Sequence, residues 1–418
     1  QQGSSNLDTP TINGSGGLLS FRDRDPSQKM GGLVTLGYGS FNYHREFVRF
    51  DTGEIGHSGV HAYVSYANQQ DDAWRGPGHD RIWNMDWKAV KKWGDDNRVT
   101  FVGAYRDSIE NTWPSTTMAD WQTYGRNFTW DSKYVFGPKG QNYWRRNRNP
   151  YDNLLLSAPS HITLTDRWKL DVTPYFWHGY GNSSTGAFIN NTNGNFFGTE
   201  PVTQSLTLPY AQPAGDGTTN AMTLMAFQND QYRGGFTAKT DYRINSHHDI
   251  YLGWWFDYSN DHDSVILSPV TFSGQSVNIF GETDNIKLAN GQLFAYQNIS
   301  TITTVNALFA GDRATYLGGK LTVDAGLKVA MVNRNGTNEV PGPQYKVVLN
   351  DFQPLPALSA RYQFNKEHQI FASVSTNFRS PATPTLYNAY YGHGISVQGT
   401  KNLKDEYSIS EEIGYRYN

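Results

Sequence analysis

The stretch GGKLTVDAGLKVAMVN, Gly318 to Asn333, decides how the rest of the chain is read. Leu321, Val323, Ala325, Leu327, Val329 and Met331 fall on one parity, while Thr322, Asp324, Gly326, Lys328 and Ala330 fall on the other. A period of two is the signature of a β-strand, whose successive side chains point to opposite faces. One face of this strand is apolar and the other carries both an acid and a base. The apolar face is turned either toward a protein core or toward lipid.

Working outward, the same alternation recurs. In RWKLDVTPYFWHG, Trp168, Leu170, Val172, Pro174 and Phe176 alternate with Lys169, Asp171, Thr173 and Tyr175. HDIYLGWWFDYSN, from His248, and PALSARYQF, from Pro356, repeat it. The connections take turns as well. GDDN at Gly94, TD at Thr165, NSHH at Asn245, LGG at Leu317 and NKEH at Asn365 read as tight polar hairpins. Between them lie long segments rich in aromatics, Gly and Asn, at roughly 108–151, 179–228, 260–297, 335–350 and 381–405.

In an up-and-down antiparallel sheet, alternate connections leave opposite ends. One end of this sheet is therefore short-turned and the other carries large loops, the asymmetry of outer-membrane barrels. A strand wall in lipid must satisfy its backbone between strands and close to lose its edges. The fold class expected is all-β, an antiparallel transmembrane β-barrel with its apolar parity toward lipid and Asp324 and Lys328 toward the lumen. A soluble propeller or sandwich is the alternative. About fourteen strands are expected: 31–40, 45–52, 58–69, 82–93, 97–107, 152–164, 167–178, 229–243, 248–259, 298–316, 320–334, 351–364, 368–380 and 406–417. Glu411 shares the apolar parity of Tyr407, Ile409, Ile413 and Tyr415, which calls for either an interfacial position or a β-bulge.

Composition agrees and excludes several classes. The 418 residues are 37% hydrophobic and 17% charged, and no run approaches the roughly eighteen apolar residues of a membrane helix. Without cysteine there is no disulfide, metal-thiolate site or thiol nucleophile. A net charge of −3 gives no reason to expect nucleic acid. QQGSSNLDTP lacks the regions of a signal peptide, which leaves the chain mature, trimmed or cytosolic. No residue set supports catalysis, so no enzyme is expected. His247 and His248 fall in a short turn, and DYSNDHD, Asp257 to Asp263, reads as a solvated loop with oxygen ligands but no calcium-loop spacing.

Several stretches resemble TonB-dependent outer-membrane receptors. GGLLSFRDRDP, Gly16 to Pro26, resembles the end of the plug domain, and LGYGSFNYHREFVRFDTG, from Leu36, resembles the first barrel hairpin. ALFAGDRATYLGGKLTVDAGLKV, from Ala307, is similar to the mid-barrel hairpin. FQPLPALSARYQFNKEHQIFASVSTNFRSPATPTLY, followed by NLKDEYSISEEIGYRYN, resembles the late barrel with its FRSP-like strand end. The resemblance implies two parts: residues 1–30 as the end of the plug and its connection, and 31–418 as part of a plugged barrel of about 22 strands. It also implies a Gram-negative outer membrane, a monomeric barrel among lipid and lipopolysaccharide, and coupling to the inner-membrane TonB complex. That coupling runs through plug segments not present here, including the TonB box, and the chain is expected to be an internal portion of a longer receptor.

For such a receptor the cargo is a scarce ligand, most often an iron–siderophore complex, and no resident cofactor is expected. The loop at 108–151 is the leading candidate for contacting it, with Trp113, Trp121, Tyr143, Trp144, Arg145, Arg146 and Arg148. Rigid aromatics supply contact area and guanidinium forks hold carboxylates or phosphates bidentately, which suits an anionic, partly aromatic ferric chelate. Aromatic girdles and lipopolysaccharide-binding arginines are the competing reading. Trp74 in DAWRGPGHDR, and Tyr390, Tyr391 and His393 in NAYYGHGISVQ, are further candidates. The competing functions are a passive porin and a secreted β protein that binds glycans.

Overall fold

The computed structural model describes residues 6–12, 14, 19–192, 194–343, 345–390, 395–397, 399–400 and 403–417. Its wall is one antiparallel sheet in chain order. The strands are β1 (Met30–Tyr38), β2 (His44–Glu54), β3 (Val60–Asp72), β4 (His79–Trp93), β5 (Asn97–Asn111), β6 in two segments (Arg148–Ser157 and Ser160–Thr165), β7 (Trp168–Asn190), β8 (Thr219–Arg243), β9 (His248–Pro269), β10 (Ala295–Tyr316), β11 (Leu321–Asn338), β12 (Lys346–Gln363), β13 (His368–Arg379) and β14 (Glu406–Tyr417). The break in β6 falls at Pro159, which has no N–H to donate. The ladder crosses it through Thr100 N donating to Pro159 O at 2.9 Å and Ala158 N donating to Pro174 O at 3.0 Å. Among the described residues β1 and β14 do not pair with each other.

The fourteen expected strands are all present. Their connections alternate: residues 94–96, 166–167, 244–247, 317–320 and 364–367 turn at one end, and the connections from β5 to β6, β7 to β8, β9 to β10 and β13 to β14 leave from the other, whereas the segment expected as a long loop at 335–350 is largely strand, with β11 running to Asn338 and β12 starting at Lys346. The strand lengths depart from expectation. β7, β8 and β9 run to 23, 25 and 22 residues, so Asp257 to Asp263 lies inside β9 rather than in a loop. At about 3.3 Å per residue such strands exceed the roughly ten residues that cross a bilayer, so their upper halves stand clear of it at the long-loop end. There both faces are covered by loops or by water. The period-two signal fades accordingly.

The parity of the opening stretch is settled by exposure. Leu327 is 44% exposed, alongside Leu252, Trp254 and Leu308, while Lys328 is 3% exposed. The buried parity packs Trp255, Val305, Ala307, Ala330, Val332, Leu355 and Phe378 into an inner cluster that also takes Ile12. The inner face is therefore apolar above Lys328 rather than uniformly polar. The register between β13 and β14 runs unbroken from His368 opposite Tyr417 to Arg379 opposite Glu406. No bulge removes Glu411 from the outward parity. His247 and His248 close their turn, with the His247 ring 2.9 Å from Thr315 O and the His248 ring 2.6 Å from Asp312 Oδ2.

Candidate functional site

Two arrangements stand out, one on the inner face and one in the outer loops. On the inner face, the segment before β1 lies against the wall and is held by charge. Arg98 donates both terminal nitrogens to the Asp25 carboxylate at 2.8 and 2.6 Å, and Lys88 Nζ lies 3.0 Å from the same group. Lys88 also donates to Asp23 O at 2.8 Å, and Ser27 N to Asp51 Oδ1 at 2.8 Å. The hydrogen bonds from Arg98, and then the Lys88 ammonium, hold the Asp25 carboxyl well below the usual carboxylate range.

Residues 6–12 and 14 meet the inner face further along the same sheet. Lys328 Nζ donates to Thr9 O at 2.6 Å, and Asp8 lies 3.5 Å from Lys239 Nζ. A Cβ at Gly326 would come within 2.4 Å of Leu7 Cδ1, so the glycine makes room for the segment. Asp8, Lys239, Tyr251, Arg313 and Asp324 line a cavity of about 180 Å³ beside it. The Lys328 ammonium sits out of water on the N-terminal segment, with the Trp255 ring centre 5.8 Å away.

Most of these contacts are ion pairs and single hydrogen bonds, and a partly solvated pair contributes only about 0.2–1 kcal/mol. Such a seat can be vacated without unfolding the sheet.

In the outer loops, the chain from β5 to β6 carries a short helix, α1 (Met118–Tyr124). Its start is fixed by a capping box, with Asp120 N donating to Thr117 Oγ1 at 3.1 Å and Thr117 N to Asp120 Oδ2 at 3.0 Å. Trp121 projects from it, 55% exposed. Trp74 and Trp113 meet at 5.9 Å between ring centres, and Arg75 lies over both while donating to Arg126 O at 2.9 Å. A second group forms around Trp144, with Arg145 and Arg148 over its ring at 5.1 and 5.7 Å. Arg145 Nη1 also reaches Gln275 Oε1 at 3.2 Å.

The expected site residues thus fall into two aromatic–arginine groups, with Trp121 apart. Tyr143 is buried and Arg146 fully so. The loop is pinned where Ser184 Oγ of β7 meets Arg146 O at 2.9 Å and Arg148 O at 3.0 Å. Ser184, expected in an open loop, is therefore a buried strand residue. Tyr390 lies in a short ladder, Ala389–Tyr390 with Ile395–Val397, while Tyr391 and His393 fall outside the described residues. Sequence reading missed Asp25, Lys88, Arg98, Lys239 and Gln275. The charges on inward parities opposite FRDRDP were the available signal for the first three.

The β-barrel model of the TonB dependent receptor-like family matches residues 100–418. The chain belongs to that family. Among solved structures, the TonB-dependent barrel is similar to the ferric-catecholate import receptor Fiu from E. coli K12, with a TM-score of 0.65 and 13% identity over 100% of this chain and 59% of that one. It is similar to the siderophore receptor PiuA from Acinetobacter baumannii, with a TM-score of 0.63 and 13% identity over 94% and 55%. The unliganded ferric citrate transporter FecA gives a TM-score of 0.61 and 13% identity over 94% and 50%. The chain spans about half the length of these structures, and at this identity they speak for the fold alone. No curated protein matches the sequence. The family is one of receptors and transporters rather than enzymes.

Proposed function

We propose that this barrel belongs to a TonB-dependent transporter in the outer membrane of a Gram-negative bacterium, importing a scarce ligand of the iron–siderophore class. The observation that carries the reading is the seat on the inner face. Residues 1–30 are read as the end of the plug, and 31–418 as barrel. The described part of that segment is tied to the wall by Asp25, Lys88, Arg98, Lys239 and Lys328, contacts weak enough to yield to a pull from the inner-membrane TonB complex. A passive porin is disfavoured because this segment lies on the inner face, and a secreted glycan binder because the apolar parity points outward. The family, and the likeness to a ferric-catecholate import receptor, a siderophore receptor and a ferric citrate transporter, support the ligand class.

In this reading the exposed Arg145 with the half-buried Trp144 and Arg148, and the exposed Trp74–Trp113 pair, offer aromatic surface and guanidinium forks to an anionic chelate. The outward face meets lipid and lipopolysaccharide, and the barrel acts as a monomer. The test is growth of a strain lacking the gene on a panel of ferric siderophores, with and without functional TonB. One or more iron sources should be lost in both backgrounds. Unimpaired growth on every source, or uptake that survives loss of TonB, refutes the proposal.

A further inference from the structure

Arg146 differs from the other buried charges among the described residues. Lys88 has Asp25, Asp51 has Arg49, Asp257 has Arg233, Lys328 has Thr9 O and Arg334 has Thr303. Arg146 is 0% exposed, and its Nε, Nη1 and Nη2 make no hydrogen bond. Its Cζ lies 6.0 Å from the Tyr134 ring centre and 5.8 Å from that of Tyr143. The hydroxyl of Tyr134 is also buried without a partner. Beneath them Met222, Leu224 and Val270 form an apolar floor. Among the described residues Arg146 takes part in no ion pair, and burial weighs most against its charged form.

Five unpartnered N–H donors of Arg146 and the unpartnered hydroxyl of Tyr134 therefore lie in one dry cluster that bears net positive charge. Burying an unpaired ion costs several kcal/mol, whereas an anion held by a guanidinium fork recovers much of that through charge-assisted bonds. Water would satisfy the donors but leave the charge. We propose that Arg146 and Tyr134 form a closed binding site for an oxyanion of the phosphate class, trapped when the loop at 134–147 seats on β7. Met222 and Leu224 share the parity of Tyr232 on β8, the outward one, so the site lies on the outer side of the wall's upper half. There the phosphate can be free or carried by lipopolysaccharide. The proposal does not rest on what the receptor transports.

The test uses the full-length receptor, solubilised in detergent and stripped of lipopolysaccharide, with proteinase K cleavage of residues 134–147 as the readout. Inorganic phosphate, against sodium chloride of equal ionic strength, or lipopolysaccharide micelles should slow cleavage at least tenfold. Protection by phosphate alone assigns a free anion, and protection by micelles alone a lipid phosphate. Arg146→Met should be protected from the start and should not respond, because the uncompensated charge is gone. Tyr134→Phe keeps the loop packing and should raise the protecting concentration severalfold. Wild-type cleavage unaffected by both probes, or an Arg146→Met protein that responds like wild type, overturns the proposal.

Discussion

Replacing Asp25 with Asn removes one charge from the inner seat and leaves its shape intact. Three contacts change: the two bonds from Arg98, whose side chain is 31% exposed, and the one from Lys88, which is 4% exposed. The Arg98 fork is partly solvated and contributes about 0.5–1 kcal/mol. The Lys88 contact is dry and charge-assisted, in the range of about 1.5–3 kcal/mol, but Lys88 keeps Asp23 O at 2.8 Å and so loses only part of it. The sum is about 2 kcal/mol, or roughly a thirtyfold rise in the fraction of molecules with residues 19–29 lifted from the wall.

When lifting and reseating are fast, protease cleavage tracks that fraction. Trypsin cleavage after Arg22 and Arg24 in the solubilised, folded barrel should therefore accelerate by about that factor. Asp23→Asn, which leaves the Asp23 carbonyl in place, should not accelerate it. Because Arg98 and Lys88 lower the folded-state value of Asp25, its contribution is full above the unfolded carboxylate range near pH 4 and is lost as pH falls through the lowered value. Wild-type cleavage should thus be flat from neutral pH down to about 5 once protease activity is corrected for. Equal cleavage of wild type and Asp25→Asn, or equal acceleration by Asp23→Asn, refutes the assignment of Asp25 as the tether.

Leu327→Arg places a charge on the outward face and should destabilise the barrel by about 2–4 kcal/mol if the residue lies near the bilayer midplane, measured by refolding into vesicles. Lys328→Met, one residue away on the inner face, should leave wall folding nearly unchanged and instead loosen residues 6–12, read by cysteine labelling at Asp8. Cysteines at the exposed Ala289 and Lys366 should report opposite sides on intact cells, with only the first reacting with an impermeant maleimide. Labelling of Lys366→Cys alone would invert the orientation. Arg145→Ala removes an exposed guanidinium of the Trp144 group and should weaken binding of the transported chelate about tenfold, checked by titration of the displayed receptor.

The wall was legible in the sequence because its determinants are local. The parity of Leu321 to Met331, the hairpin turns and the aromatic loops each read over a dozen residues or fewer, and a period of two leaves little choice of face. The upper halves of β7, β8 and β9 were not legible, since strands covered on both sides lose the alternation. Nor did sequence separate Arg145 from Arg146. They are neighbours in one run, but a 3-10 turn at Trp144–Arg146 leaves one at the surface and drives the other beneath the Tyr134 and Tyr143 rings.

The seat is further still from sequence reading. Asp25 finds Arg98 across 73 residues, and Thr9 finds Lys328 across 319. Sequence by itself determined which residues could lie in a strand and which way each would point. Only the curvature of the sheet, which brings distant strands around one N-terminal segment, decided which inward charges meet and which buried charge is left without a partner.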